Sequence, residues 1–347
     1  MAGVHAGSAR GRGAAVRIKH GPMLGFAAHC RPVGNELEST MKQLSLALAI
    51  SLTLAACGAA TEKAATPEAA SDQPAVVVPP QPAATINPID SVLAGSWRSD
   101  ANKARDAYRH PAATLDFFGV KPEQTVVEIN PGGGWYTEVL APLMKDGHYV
   151  AAIPTDASSE YNARNNTKFR AKLAEHAEVF AGAQVVEFDP KAPSFGADAS
   201  ADVVLTFRNV HNWVGGGNAP AMFTGFFNVL KPGGTLGVVD HRAADDADAA
   251  AIAKSGYLTT ASVVKLATDA GFELVGQSEI NANPKDTKDY EKGVWTLPPS
   301  LTLGETDRAK YQAIGESDRM TLKFVKPQAD RIFEQGTDSA GKENEKK

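Results

Sequence analysis

The chain is short of the features that settle a protein's class at a glance. Of its 347 residues only two are cysteines, Cys30 and Cys57, so disulfides cannot be the framework of the fold. No excess of positive charge is present; the net charge is −5, which gives no sign of nucleic-acid binding. No apolar run is long enough to span a bilayer, since the longest, Leu44–Leu54, stops well short of the ~20 residues a spanning helix needs. There is no internal repeat, no metal-ligand cluster at ligand spacing, no Gly-x-Ser-x-Gly elbow and no Walker lysine. A hydrophobic content of 43% is ordinary for a globular core, and the length suits one large domain or two small ones.

What is present begins at Met41. Lys42 supplies a short positive region, Leu44–Leu54 an apolar one, and Leu54-Ala55-Ala56-Cys57 closes it with small residues and a cysteine. That order resembles the signal and lipobox of bacterial lipoproteins. The resemblance implies a lipidated Cys57 as mature N-terminus and a chain exported to the periplasmic side of a membrane, the outer membrane being favoured because Gly58 follows the cysteine. A signal at Met41 makes residues 1–40 an upstream extension of the reading frame. Residues 58–88, rich in Ala and Pro, read as an extended tether. The folded domain is expected over 89–329, and the charged stretch 330–347 as a frayed tail.

Within the domain the sequence turns on Val126–Leu140, VVEINPGGGWYTEVL. A buried strand over 125–129 ends in Glu128 and a glycine turn, and a helix follows near Trp135. Gly132, Gly133 and Gly134 let the backbone take positive φ and approach a ligand closely, and the helix N-terminus beyond offers unpaired N–H groups. Strand, acid, glycine turn and helix in this order suit a nucleotide-type ligand at a sheet edge. A Gly-x-Gly-x-x-Gly pattern fails at Thr137, which speaks against a nicotinamide oxidoreductase.

Further strands are expected over 149–153, 185–188, 203–207, 235–240, 272–278 and 320–325, alternating with helices over 168–180, 220–230 and 260–270. This alternation predicts parallel βαβ units in one doubly wound α/β sheet of seven strands. A helix over 100–120, broken before Pro111, brings Arg109 and His110. His176, on the apolar side of the 168–180 helix, reads as a core residue. The stretch 281–319 breaks the alternation and suits a lid over the site.

Four blocks together resemble the class I S-adenosylmethionine-dependent methyltransferases: Val126–Gly134, Phe188-Asp189, Ala201–Leu205 (ADVVL) and Leu230–Gly234 (LKPGG), followed by AGFELV at Ala270–Val275. The run EINPGGGWYTEVLAP is similar to an exported branch of predicted methyltransferases. The resemblance implies a Rossmann-like fold and S-adenosylmethionine as cofactor, bound by Glu128, Asn130, Gly132, Gly133, Gly134, Asp156, Asp189, Arg208 and Asn209. Two positions depart from the pattern. Asn130 replaces the first glycine, and Pro154 stands where an acid usually grips the ribose, with Asp156 the nearest substitute. Phe207–Val214, FRNVHNWV, resembles the His-Asp-Trp segment of small-molecule O-methyltransferases, which makes His211 the candidate general base with Asn212 in the place of the aspartate. Arg109, His110, Tyr136, Trp213 and His241 are the candidate acceptor contacts. Asp240-His241-Arg242 can equally cap the fifth strand. The expected function is methyl transfer to a small molecule by a lipid-anchored protein without nucleic-acid partners. The alternative is a methyltransferase-fold lipoprotein that has lost catalysis and holds a ligand or a partner.

Overall fold

The computed structural model describes residues 88–144 and 147–328. The signal, Cys57, the tether and the charged tail lie outside these residues. Among the described residues no helix is long and apolar enough to cross a membrane.

Seven segments rich in β-branched and aromatic residues pair into one sheet: β1 Thr125–Ile129, β2 His148–Pro154, β3 Ala183–Phe188, β4 Ala201–Phe207, β5 Leu230–His241, β6 Glu273–Ser278 and β7 Arg319–Val325. Their order across the sheet is β3-β2-β1-β4-β5-β7-β6. The first five run parallel, while β7 inserts antiparallel between β5 and β6. The doubly wound sheet is as expected, and β7 is the one strand of it that runs against the others. A parallel neighbour needs a crossover to return the chain to the same edge. The irregular stretch 279–318 makes no such return and feeds β7 back from the other end. The result is the Rossmann-like, doubly wound fold of class I methyltransferases.

Alternation along the strands sets the two faces. Val127 and Ile129 point into one core with Val204, Val238, Met222, Phe223, Phe226 and Val263, which seats helices Ala219–Val229 and Thr260–Asp269. Val126 points into the other with Leu140, Tyr149, Phe169, Val203 and Leu205, which seats helices Pro111–Phe118, Thr137–Leu143 and Glu160–Glu175. Between these layers Asp202 accepts hydrogen bonds from Thr125 N (2.9 Å) and Lys231 Nζ (2.7 Å), fixing the lower ends of β1, β4 and β5 to one another.

Several boundaries differ from the sequence expectation. The helix expected over 168–180 begins at Glu160, capped by Ser159, whose Oγ accepts from Asn162 N at 3.1 Å. It stops at His176, whose backbone (φ −126°, ψ 55°) leaves the helix. That side chain is 35% exposed and points at Glu178, so it is not a core residue. The segment over 100–120 forms three short helices, Asp100–Lys103, Asp106–Arg109 and Pro111–Phe118. Pro111 cannot donate to the preceding turn, and His110 crosses the break at φ 41°.

Candidate active site

Two adjoining cavities lie beyond the carboxyl ends of the parallel strands, where ligands bind in open α/β sheets. The larger, about 500 Å³, includes Arg105, Arg109, Glu128, Trp135, Tyr136, Phe207, Arg208, His211, His241 and Trp295 in its wall. The smaller, about 400 Å³, is walled by Ile153, Pro154, Phe169, Phe188 and Trp213 with a set of asparagine amides. Asn130, Pro131, Gly132, Tyr161, Asn209 and Asn212 belong to both.

The glycine turn forms their common floor. Asn130 sits at φ 51° and Gly132 at φ 59°. Asparagine tolerates the left-handed region better than other side-chain-bearing residues, which is why it can stand where the related motif has glycine. Its Oδ1 is buried and has no hydrogen-bond partner among the described residues. A Cβ added at Gly132 or Gly133 meets nothing within 4 Å, so the turn borders open space. Gly134 (φ 74°) instead packs against Lys172 and Phe169 of the next helix and does not reach a cavity. Asn209 ties β4 to this turn, its Nδ2 donating to Ile129 O (3.0 Å), Asn130 O (3.3 Å) and Thr206 Oγ1 (3.2 Å).

Glu128 faces the larger cavity and not the amide-walled one. One carboxylate oxygen accepts from Thr137 Oγ1 (2.9 Å) and from the Tyr149 hydroxyl. Burial pushes its carboxyl up to about 7, against these hydrogen bonds and the charge of Arg109.

Asp156 and Asp189, expected to hold the ribose and the adenine, line neither cavity. Asp156 lies in the turn after β2, points outward, and accepts from Asn166 Nδ2 (2.7 Å) and Arg170 Nη1 (3.3 Å). Asp189 closes an exposed turn by accepting from Lys191 N at 2.9 Å. The smaller cavity thus has no carboxylate in its wall; Asn162, Asn165, Asn166, Asn212 and Asn218 supply its polar groups. His110 is exposed and ends a helix, away from both cavities. Trp213 packs on Phe226 (ring centroids 5.5 Å apart) and borders the smaller cavity, not the larger one.

The remaining expected residues converge. Arg109 is buried, lies over the Trp135 ring at 4.6 Å, and pairs with Glu316 at 3.2 Å. Burial pushes its guanidinium down to about 9. The Tyr136 ring stacks on Phe207 with centroids 3.5 Å apart, and burial pushes its phenol up to about 12. His241 is buried, its Nδ1 is hydrogen-bonded to Ser317 Oγ, and burial together with the nearby cations drives its imidazole well below the usual range, so it is neutral at pH 7.

His211 stands in the first turn of helix Val210–Gly215, on the wall of the larger cavity. Its Nδ1 is 2.9 Å from Asp240 Oδ1, and its backbone N donates to Asp240 Oδ2 at 3.2 Å. Asp240 is fully buried, and its Oδ1 also accepts from His241 N at 2.7 Å. The carboxylate therefore fixes the tautomer with the proton on Nδ1, and Nε2 is left as an acceptor without a protein partner among the described residues. The aspartate looked for at Asn212 is supplied instead by β5. His211, Asp240 and His241 also place one ligand atom each within 4.8 Å of one another, a proximity that sequence spacing did not show. With three protein donors already on Asp240, the arrangement is that of a carboxylate orienting a base.

Sequence reading missed Asp240 as the partner of His211, and it missed Arg105, Tyr161 and Glu316. The run Glu316-Ser317-Asp318-Arg319 carried a signal: four consecutive polar residues beside a strand, all of them buried. Trp295, expected in the lid, lies with its ring 6.1 Å from that of His211, and Pro298, Pro299 and Ser300 continue the wall.

No family model matches the chain, and no curated protein matches it. Solved structures do. A SAM-dependent methyltransferase from Aquifex aeolicus is 15% identical over 64% of this chain and 93% of that one, with a TM-score of 0.44. The cyclase SpnF is 13% identical over 68% and 86%, with a TM-score of 0.46. Human N-acetylserotonin methyltransferase, in complex with SAM, is 12% identical over 66% and 54%, with a TM-score of 0.42. The fold class stands on the strand order and pairing of this chain itself.

Proposed function

We propose that this chain is an S-adenosylmethionine-dependent methyltransferase for a small-molecule hydroxyl acceptor, exported and held at a membrane by lipid on Cys57. The observation that carries the reading is the His211–Asp240 pair, which opens into the same cavity as the glycine turn. The residues present fit the cofactor. The buried, unpartnered Asn130 Oδ1 is an acceptor for an amino group, and Gly132 and Gly133 leave room for a chain to lie against the backbone. The smaller cavity suits a nucleoside, with Phe169 and Phe188 for the base and amides for the hydroxyls.

When bound, S-adenosylmethionine supplies an electrophilic methyl group. The protein positions the acceptor between Trp295, Phe207 and His211. His211 Nε2 accepts the hydroxyl proton as the oxygen becomes nucleophilic, and Asp240 stabilises the resulting imidazolium through Nδ1–H. Holding two reactants in line provides up to roughly 7–11 kcal/mol of the barrier reduction in favourable cases. Pro298, Pro299 and Ser300 border the same cavity.

A second reading, a ligand-binding lipoprotein without catalysis, is favoured by one observation: Pro154 occupies the usual acid's position and no carboxylate replaces it. Calorimetric titration of the purified chain with S-adenosylmethionine and S-adenosylhomocysteine decides. Binding of both, with His211→Ala abolishing turnover but not affinity, supports the enzyme; absence of binding at millimolar ligand refutes it. The anchor is tested by Cys57→Ser, which releases the protein from the membrane fraction if the lipid holds it there.

A further inference from the structure

The upper wall of the larger cavity carries more positive charge than its neighbours offset. Arg105, Arg109 and Arg208 line it. Arg319 lies behind them, and all four guanidinium groups converge on one carboxylate, Glu316, at 2.7, 3.2, 3.8 and 3.2 Å respectively. Burial opposes ionisation of Glu316, yet the arginine charges hold its carboxyl at about 2. Two other carboxylates stand nearby: Glu128, whose carboxyl burial raises to about 7, and Asp240, whose charge acts on Arg208 while it accepts from His211 and His241; together with Glu316 they leave the four guanidinium groups in excess. His241 faces the same space uncharged.

The guanidinium groups are also under-used. Arg105 Nη2 is buried and has no hydrogen-bond partner among the described residues. A buried donor without a partner is destabilising, so the cluster is organised for a group the protein does not itself provide. Burial pushes Arg208 down to about 10, and its backbone is held in the left-handed region at φ 63°. Planar guanidinium groups pair bidentately with carboxylate or phosphate. The aromatic faces of Trp135 and of the Tyr136–Phe207 stack stand beside them in the same cavity.

We propose that Arg105, Arg109 and Arg208 form an anion subsite that takes a carboxylate or phosphate carried by the acceptor, so that the substrate class is a small hydroxy acid or hydroxy phosphate with its hydroxyl toward His211. This deepens the methyltransferase reading above and rests on it.

The test is calorimetric titration of the purified chain with 4-hydroxybenzoate, with phenol, which has the same ring and hydroxyl but no acid, and with inorganic phosphate. S-adenosylmethionine is titrated separately. Charge-assisted hydrogen bonds of 1.5–3 kcal/mol correspond to about ten- to a hundredfold tighter binding of the hydroxy acid than of phenol. Arg105→Gln is expected to erase that difference and to leave cofactor affinity nearly unchanged; its melting temperature reports folding, and Arg109→Gln serves if it does not fold. Equal binding of the hydroxy acid and phenol overturns the proposal. So does failure of both phosphate and 4-hydroxybenzoate to bind at millimolar concentration while S-adenosylmethionine binds. If Arg105→Gln weakens S-adenosylmethionine and not 4-hydroxybenzoate, the cluster holds the cofactor's own carboxylate and the proposal is likewise overturned. Anion binding without any cofactor binding sinks the methyltransferase reading and leaves the subsite standing.

Discussion

Replacing Asp240 with asparagine keeps the size of the side chain and changes one proton. Asp240 Oδ1 now accepts from the Nδ1 of His211 at 2.9 Å. Its two oxygens also hold the backbone N–H groups of His211 and His241. In Asp240→Asn the amide oxygen can keep one backbone contact, and the NH2 group then faces Nδ1. Nδ1 must become the acceptor, so the ring proton moves to Nε2, the atom that takes the acceptor's proton in the proposed mechanism. The base is disabled with the ring still in place, and the positive charge it would gain has no carboxylate behind it. General base catalysis contributes about 10²–10⁴-fold, so kcat should fall by about that factor, with cofactor affinity unchanged and KM little altered. Two measurements check this. Release of S-adenosylhomocysteine gives kcat, and ¹⁵N shifts of the His211 ring give the tautomer: Nδ1–H in the natural protein, Nε2–H in the variant. Turnover within about threefold of the natural protein, or an Nε2–H ring in both, would refute the reasoning.

Glu128→Gln should change the pH dependence of stability. The folded-state value near 7 lies above the usual 4.5, so between these the folded chain keeps a proton the unfolded chain has lost. Stability then falls as pH rises from about 4.5 to about 7 and levels off above. The variant should lack that fall and exceed the natural protein by up to about 3 kcal/mol at pH 8 in urea unfolding, with the difference gone by pH 4. Gly133→Ala meets no steric obstacle and requires no positive φ. It should leave the melting temperature unchanged and weaken S-adenosylmethionine by about tenfold or more, because the added methyl occupies the space over the turn. Asn209→Ala strips the donors from Ile129 O and Asn130 O and should cost about 1–3 kcal/mol in denaturant unfolding.

Much of the sheet was legible because runs such as VVEI and ADVVL alternate between two buried faces. The reversed strand was not, because direction depends on where the irregular 279–318 stretch re-enters, and no periodicity records that. The His211–Asp240 pair illustrates the intermediate case. The two are 29 positions apart, but β4 and β5 are neighbours with Phe207 opposite Val239. One residue further along each strand, Arg208 and Asp240 are side by side, and the next helical turn brings His211. Adjacency of the strands, had it been granted, would have paired them. Asp156 misled for the opposite reason: proximity in sequence to the end of β2 says nothing about which way a side chain turns once the strand has ended. The charge cluster around Arg109 was not legible because its counter-ion, Glu316, is 207 positions away.

That separation has a consequence for how the molecule is made. Arg105 and Arg109 leave the ribosome long before Glu316, which is 211 residues after the first of them. The arginine corner therefore has no central carboxylate until the segment leading into β7 is in place, and the wall that carries Arg105, Arg109 and Arg208 depends on a residue at the far end of the folded domain.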